Sequence, residues 1–156
     1  MSAQQPGAPV GAEASPYRFS DQIGHLLRRA YQKHTAHFQA FIPDSQLTAG
    51  QFVALCCIRD HHGASLADIV KATVIDQATI RGVVDRLKQR GLVAVEHDIA
   101  DRRKIAIRLT PEGSALVSAM EPFALQITES TYGALNPGER FALQFLLQKM
   151  LGGAQA

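Results

Sequence analysis

At Gly91 the hydrophobic period of this chain changes from helical to alternating, and few folds accommodate that change within one short unit. Before it, Ile80, Val83, Val84 and Leu87 recur at helical spacing and, at about 100° per residue, fall in one narrow sector. Asp76 precedes them as an N-cap whose carboxylate can accept backbone N–H groups of the first turn, and Gly91 follows Arg90 as a stop. After it, residues 92–96 and 104–109 are rich in Val, Ile and Leu, with Ile105, Ile107 and Leu109 alternating against Lys104, Ala106 and Arg108. That spacing predicts a hairpin with residues 97–103 at its tip. Upstream, Ser65 caps a short helix, with Asp68 as a capping-box variant and Leu66, Ile69 and Val70 packing inward. Residues 65–111 therefore read as short helix, turn, second helix and basic two-stranded wing. The expected fold class is mainly α with a small β-hairpin wing, a winged helix-turn-helix joined to a helical dimerisation region.

The second helix of this unit leaves a small outward ridge, Ala78, Gly82, Asp85 and Gln89, flanked by Gln77 and Arg81 on one shoulder and Thr79 and Arg86 on the other. Such a face suits the DNA major groove, which admits one helix and is read by Arg, Gln and Thr side chains. An interior glycine costs about 1 kcal/mol of helix stability against Ala, so Gly82 needs either a packing or a contact explanation. The hairpin tip carries Arg102, Arg103 and Lys104 in a row, and a hairpin directly after such a helix can reach the neighbouring minor groove. The net charge of the whole chain is only +2, but residues 65–110 hold nine Lys and Arg against six Asp and Glu. Positive charge is thus concentrated where the helix pattern already points to nucleic acid.

Several short motifs make the resemblance specific. Asp85-Arg86-Leu87 stands four residues before Gly91-Leu92-Val93, followed by Asp101-Arg102-Arg103 and by Leu109-Thr110-Pro111-Glu112-Gly113; upstream lie Leu47-Thr48, Gln51-Phe52 and Leu55. In this combination, which spans residues 47–113, the chain resembles the MarR family of bacterial transcription regulators. The resemblance implies an obligate dimer that binds double-stranded DNA at a palindromic operator through two wings and two recognition helices, and that a small, often aromatic or phenolic, effector releases. It carries DNA contacts onto Ser65, Gln77, Ala78, Thr79, Arg81, Gly82, Arg86, Arg102, Arg103 and Lys104, with Asp101 supporting the wing. It also implies an effector pocket between the first, second and fifth helices and the reading unit, where His25, Arg29 and His61 are candidates; a guanidinium supplies the paired donors that fit a carboxylate. Hydroxylated aromatic or N-heteroaromatic carboxylates are the expected ligands. Two departures stand out: Val95 and Glu96 occupy positions where many relatives carry bases, and Pro122 falls inside a long helix, where a kink is expected.

The remainder of the chain divides around this unit. Residues 1–16, rich in Ala, Gly, Pro and Gln, are expected to be a disordered arm, residues 17–46 a dimerisation helix, residues 47–111 the winged unit, and residues 112–156 further dimerisation helices. Phe19, Ile23, Leu26, Leu27, Ala30, His34, Phe38 and Phe41 form one stripe of a first helix over residues 19–41, and Phe141, Phe145, Leu146, Met150 and Leu151 an inward face of the last. These stripes exceed what one reading unit covers, and a homodimer is the expected remedy. No stretch reads as a signal peptide or a membrane span, which predicts a cytoplasmic protein with no membrane partner. No phosphate loop, nucleophile elbow or acid–histidine constellation is visible, so an enzyme and a cofactor are not expected. One competing reading uses Cys57 and His61, four apart on a helix, as metal or redox groups completed by His25, His34 or His37. Another keeps the winged fold as a protein-interaction module without DNA.

Overall fold

The computed structural model describes residues 16–153, so the expected arm at 1–16 lies, but for Pro16, outside the described residues. Six helices and a two-stranded sheet follow in the order α1 (Ile23–Phe41), α2 (Ala49–His61), α3 (Leu66–Thr73), α4 (Gln77–Gln89), β1 (Val93–His97), β2 (Ile105–Leu109), α5 (Pro111–Tyr132) and α6 (Pro137–Met150). Most boundaries are set by local chemistry. Thr48, Ser65 and Asn136 each complete a reciprocal capping box with Gln51, Asp68 and Glu139, while Asp76 and Thr110 accept the N–H groups of Thr79 and Gly113. The first helix begins later than its apolar stripe suggests. Residues Phe19–Asp21 form a single 3-10 turn, Gln22 is extended and offers no side-chain cap, and α1 starts at Ile23. Helix α5 is continuous through Pro122.

Strands β1 and β2 pair antiparallel with Val93 opposite Leu109 and Val95 opposite Ile107. Ala64, in the loop before α3, adds a bridge to Ile107 through two backbone hydrogen bonds of 2.8 and 3.1 Å, tying the wing to the end of α2. The core sits beneath α4. Ile80 and Leu87 belong to one buried cluster with Leu55 and Ile58 of α2, Ile69 of α3, Ile107 of the wing and Val117 of α5, all essentially without solvent contact. The buried face of α4 is therefore the one its period predicts.

Where the wing meets α5 the chain passes very close to itself. A Cβ at Gly113 would lie 2.0 Å from the carbonyl oxygen of Leu92. That same carbonyl accepts the Thr110 N–H (3.1 Å), and the Thr110 hydroxyl donates to the Gly91 carbonyl (2.6 Å), so glycine at 113 lets the first turn of α5 seat on the exit of α4. On the opposite side of α4, Arg90 pairs with Asp44 at the end of α1 (2.5 Å). Burial pushes the Asp44 carboxyl up, but hydrogen bonds from Arg90 and from the Gln46 backbone outweigh it and hold the group below the ordinary carboxylate range.

Helix α6 departs from the sequence expectation. None of its residues is buried, and Phe141, Phe145, Leu146, Met150 and Leu151 are all more than half exposed, because no element among the described residues covers them. Its attachment is at its start, where Arg140 pairs with Glu129 and lies 5.2 Å over the Tyr132 ring. Along α1 only Phe38 is buried, and Phe19, Ile23, Leu26, Leu27 and Phe41 stay exposed.

Candidate nucleic-acid interface

Helix α4 presents Gln77, Ala78, Thr79, Arg81, Asp85 and Arg86 to solvent on the side opposite its buried face, with Gly82 half-buried among them. These residues differ in how free they are. The Thr79 hydroxyl donates to the capping carboxylate of Asp76 (2.6 Å), which leaves its methyl as the free group. Hydrogen bonds from that hydroxyl and then from the Thr79 N–H hold Asp76 below the ordinary carboxylate range. Arg86 folds back so that its Nε donates to the Gly82 carbonyl (3.1 Å), and a Cβ on Gly82 would meet only the far end of that guanidinium, at 3.3 Å. No rigid neighbour in the chain thus requires glycine at 82. Arg81 makes no ion pair among the described residues. Ser65, half-buried at the start of α3, spends its hydroxyl on Asp68, donating to Oδ2 (2.8 Å) and accepting the Asp68 N–H (3.1 Å).

The turn before α4 holds a strained residue that the sequence reading passes over. Val74, the C-cap of α3, has φ 56° and ψ 26°, a left-handed conformation unfavourable for a β-branched side chain, and it is 89% exposed. Turns of this kind often carry glycine.

In the wing, Arg102, Arg103 and Lys104 are exposed and form no ion pair among the described residues. Asp101 supports them through the backbone, accepting the Arg103 N–H at Oδ1 (3.1 Å), while its own carbonyl accepts the Lys104 N–H (2.9 Å). Glu96, unexpected in a strand facing phosphates, is matched within the hairpin: Arg108 Nε donates to it (3.0 Å) and Arg108 Nη1 to the His62 carbonyl (2.6 Å). One guanidinium joins both strands of the wing to the end of α2. The two oppositely charged groups also screen one another where DNA would approach.

The candidate effector residues sit on two helices, His25 and Arg29 on α1 and His61 at the end of α2. His25 is half-buried with its ring edge-on to Phe19 (centroids 5.1 Å apart), and Arg29 and His61 are exposed. A cavity of about 260 Å³ lies between the end of α2, β2 and the start of α5, lined by Arg59, His62, Arg108 and Ser114 among others, and one of about 240 Å³ lies between α4 and the wing. Neither is lined by His25, Arg29 or His61.

Cys57 and His61 are neighbours as their spacing predicts, with Sγ 3.6 Å from Nδ1, yet that ring nitrogen lies nearer the Cys57 carbonyl, at 2.8 Å. Burial, then Asp60 and Asp68, push the Cys57 thiol up, away from the reactive thiolate. Of the histidines named as completing ligands, His34 meets the Thr131 hydroxyl of α5 (3.1 Å) and His37 stacks on Phe41. Among the described residues no group of three or more His, Cys, Asp or Glu side chains is arranged to hold a metal ion.

A capped helix with a polar outward face, set between a helical turn and an arginine-tipped hairpin, defines a winged helix-turn-helix DNA-binding protein. Comparison with known proteins narrows this. The profile of the MarR family matches residues 47–105. The chain is 51% identical over 151 residues, covering 97% of its own length and 96% of the relative's, to the HTH-type transcriptional repressor NicR of Pseudomonas putida. It superposes with a TM-score of 0.83 on Bordetella bronchiseptica BpsR, 61% identical over 89% of this chain and all of that one, a structure described as the mechanism by which 6-hydroxynicotinic acid regulates DNA binding. A variant Escherichia coli MarR complexed with operator DNA matches with a TM-score of 0.76 at 25% identity, over 83% of this chain and 93% of the other. The chain belongs to the MarR family of DNA-binding transcription regulators. No helix among the described residues is long and apolar enough to cross a membrane.

Proposed function

We propose that this protein is a homodimeric cytoplasmic repressor that occupies a palindromic operator and is released by a small N-heteroaromatic or hydroxylated aromatic carboxylate. The observation that carries the reading is the pairing of a free Arg81 on α4 with free Arg102 and Arg103 on the wing, which sets one base-reading element beside one groove- and phosphate-reading element. The division of labour follows the sequence: residues 47–111 read DNA, and residues 17–46 and 112–156 hold two subunits together. The exposed apolar faces of α1 and α6 support that assignment, since a monomer leaves them in water. The relation to NicR and BpsR supports repression and a hydroxynicotinate-like effector. In this reading His25 and Arg29 belong to a site that a second subunit completes, and the carboxylate of the effector pairs with the Arg29 guanidinium.

Effector release requires only that ligand bind the non-operator spacing of the two reading units more tightly, a difference of typically 1–3 kcal/mol. A mobility-shift assay on the DNA upstream of its own gene, with and without 6-hydroxynicotinate, tests the whole reading. A retarded band that the acid dissolves is the expected result, and a band indifferent to every aromatic acid tried removes the effector from the proposal. Arg29→Ala should weaken release while leaving DNA binding intact.

A further inference from the structure

We infer that Ile99, at the extremity of the wing, is an apolar wedge for the floor of the DNA minor groove, and that it reads the deformability of one base step beneath it. The inference rests on the DNA-binding reading above and adds to it a contact of different chemistry. Ile99 is 102% exposed, more open than in an extended chain, and no part of the fold covers it. Most residues at a hairpin tip are polar, and this one sits among His97, Asp98, Asp101 and Arg102.

The tip that carries it is closed by hydrogen bonds. Asp98 Oδ1 accepts the Ala100 N–H (2.7 Å), the Asp98 N–H donates to the Lys104 carbonyl (3.0 Å), and Asp101 accepts from Arg103 and Lys104 as described above. These bonds close the loop on both sides of Ile99. Arg102, Arg103 and Lys104 form no ion pair among the described residues and outnumber Asp98 and Asp101, so the tip that carries the isoleucine has a net positive charge. An exposed apolar side chain on a hairpin tip of net positive charge fits one occupant well: the minor groove of a duplex, where the cations meet its negative potential and the apolar group meets the base edges. A protein partner for so small a patch would gain little apolar contact, and like-charged surface would surround it.

A wedge of this kind favours a step that unstacks easily, and TA and CA steps are the easiest. The wing should therefore prefer such a step at a fixed distance from the bases that α4 reads.

The test uses a duplex selected from a random pool by the unaltered full-length protein. Ile99→Ser removes no charge and disturbs no packing, so it should lower affinity for that duplex by about tenfold, the order expected when one isoleucine contact returns to water, with the salt dependence unchanged. Ile99→Leu should retain most of the affinity. Replacing the flexible step under the wing by a stiff A-tract should weaken the unaltered protein and leave Ile99→Ser unaffected. Binding by Ile99→Ser within twofold of the unaltered protein, while Arg103→Ala still loses affinity, would overturn the wedge and leave the DNA-binding reading standing. An altered salt slope in Ile99→Ser would also overturn it, because the isoleucine would then act through its charged neighbours. If neither Ile99→Ser nor Arg103→Ala changes binding, the wing does not touch DNA, and the wedge falls together with the wing's share of the DNA-binding reading while α4 keeps its own.

Discussion

A methyl group added at position 113 and one added at position 82 should have opposite fates. At Gly113 it would enter the Leu92 carbonyl at 2.0 Å, so Gly113→Ala must part α5 from the exit of α4 and should lower the urea midpoint by an amount equivalent to about 2–3 kcal/mol. At Gly82 it would meet only the mobile end of Arg86, so Gly82→Ala should gain up to about 1 kcal/mol of helix stability; a simultaneous loss of operator affinity would identify close approach to the groove as the reason for glycine. Val74→Gly should likewise raise the melting temperature by removing a strained β-branched residue, worth roughly 1 kcal/mol. The two DNA contacts separate by their readout. Arg81→Ala should flatten the preference between operator and scrambled DNA, whereas Arg103→Ala should weaken both and reduce the salt slope by about one. Asp101→Ala should lose affinity despite removing a negative charge, because its carboxylate accepts the Arg103 N–H; tighter binding at two salt concentrations would refute that role. Which residues face solvent on α4 and at the wing tip was legible from helical and hairpin spacing. The reason for Gly113 was not, since it depends on a crossing between segments 21 positions apart, and nothing in a helical period signals the left-handed backbone of Val74.

Elements whose ends rest on neighbouring residues were read from sequence almost as they fold. The caps at Thr48, Ser65, Asp76 and Thr110 lie within three residues of the N–H groups they satisfy, and α2, α3, α4 and α5 begin where those caps place them. The start of α1 was missed because its apolar stripe continues through Phe19 while the backbone stops at Gln22, where no side chain caps it. Ties between distant elements carry no local signal. The Arg90–Asp44 pair spans 46 positions and couples the exit of α4 to the end of α1, and the Arg108–Glu96 pair turns an apparent electrostatic fault in the wing into an internal match. The first of these ties should be visible in acid. The Asp44 pKa is depressed in the folded chain, so the unfolded chain binds the extra proton first; the stabilisation is complete above the ordinary carboxylate pKa of about 3.9 and is lost as pH falls through the folded value. Thermal melts across that range should show Asp44→Asn losing less stability on acidification than the unaltered protein.

At the scale of the whole molecule, the apolar faces of α1 and α6 are the largest feature that one chain leaves unsatisfied. The sequence placed Phe141, Phe145 and Leu146 on an inward face; the helical period groups apolar residues correctly, but it does not say what covers them, and in the single chain they stay open to solvent. Sedimentation at micromolar concentration should give a dimer, and Phe145→Glu should shift it toward monomer with loss of operator binding. Association of this kind makes the melting temperature rise with protein concentration. The solitary α6 then has a consequence for how much regulator a cell holds. In the proposed dimer, a newly made subunit would carry that helix as an uncovered rod until it met another, and during this interval proteases would find it open. Synthesis at twice the rate shortens the interval, so steady-state abundance should climb more steeply than production. Pulse-chase measurements of the half-life at two expression levels would reveal a longer life at the higher one.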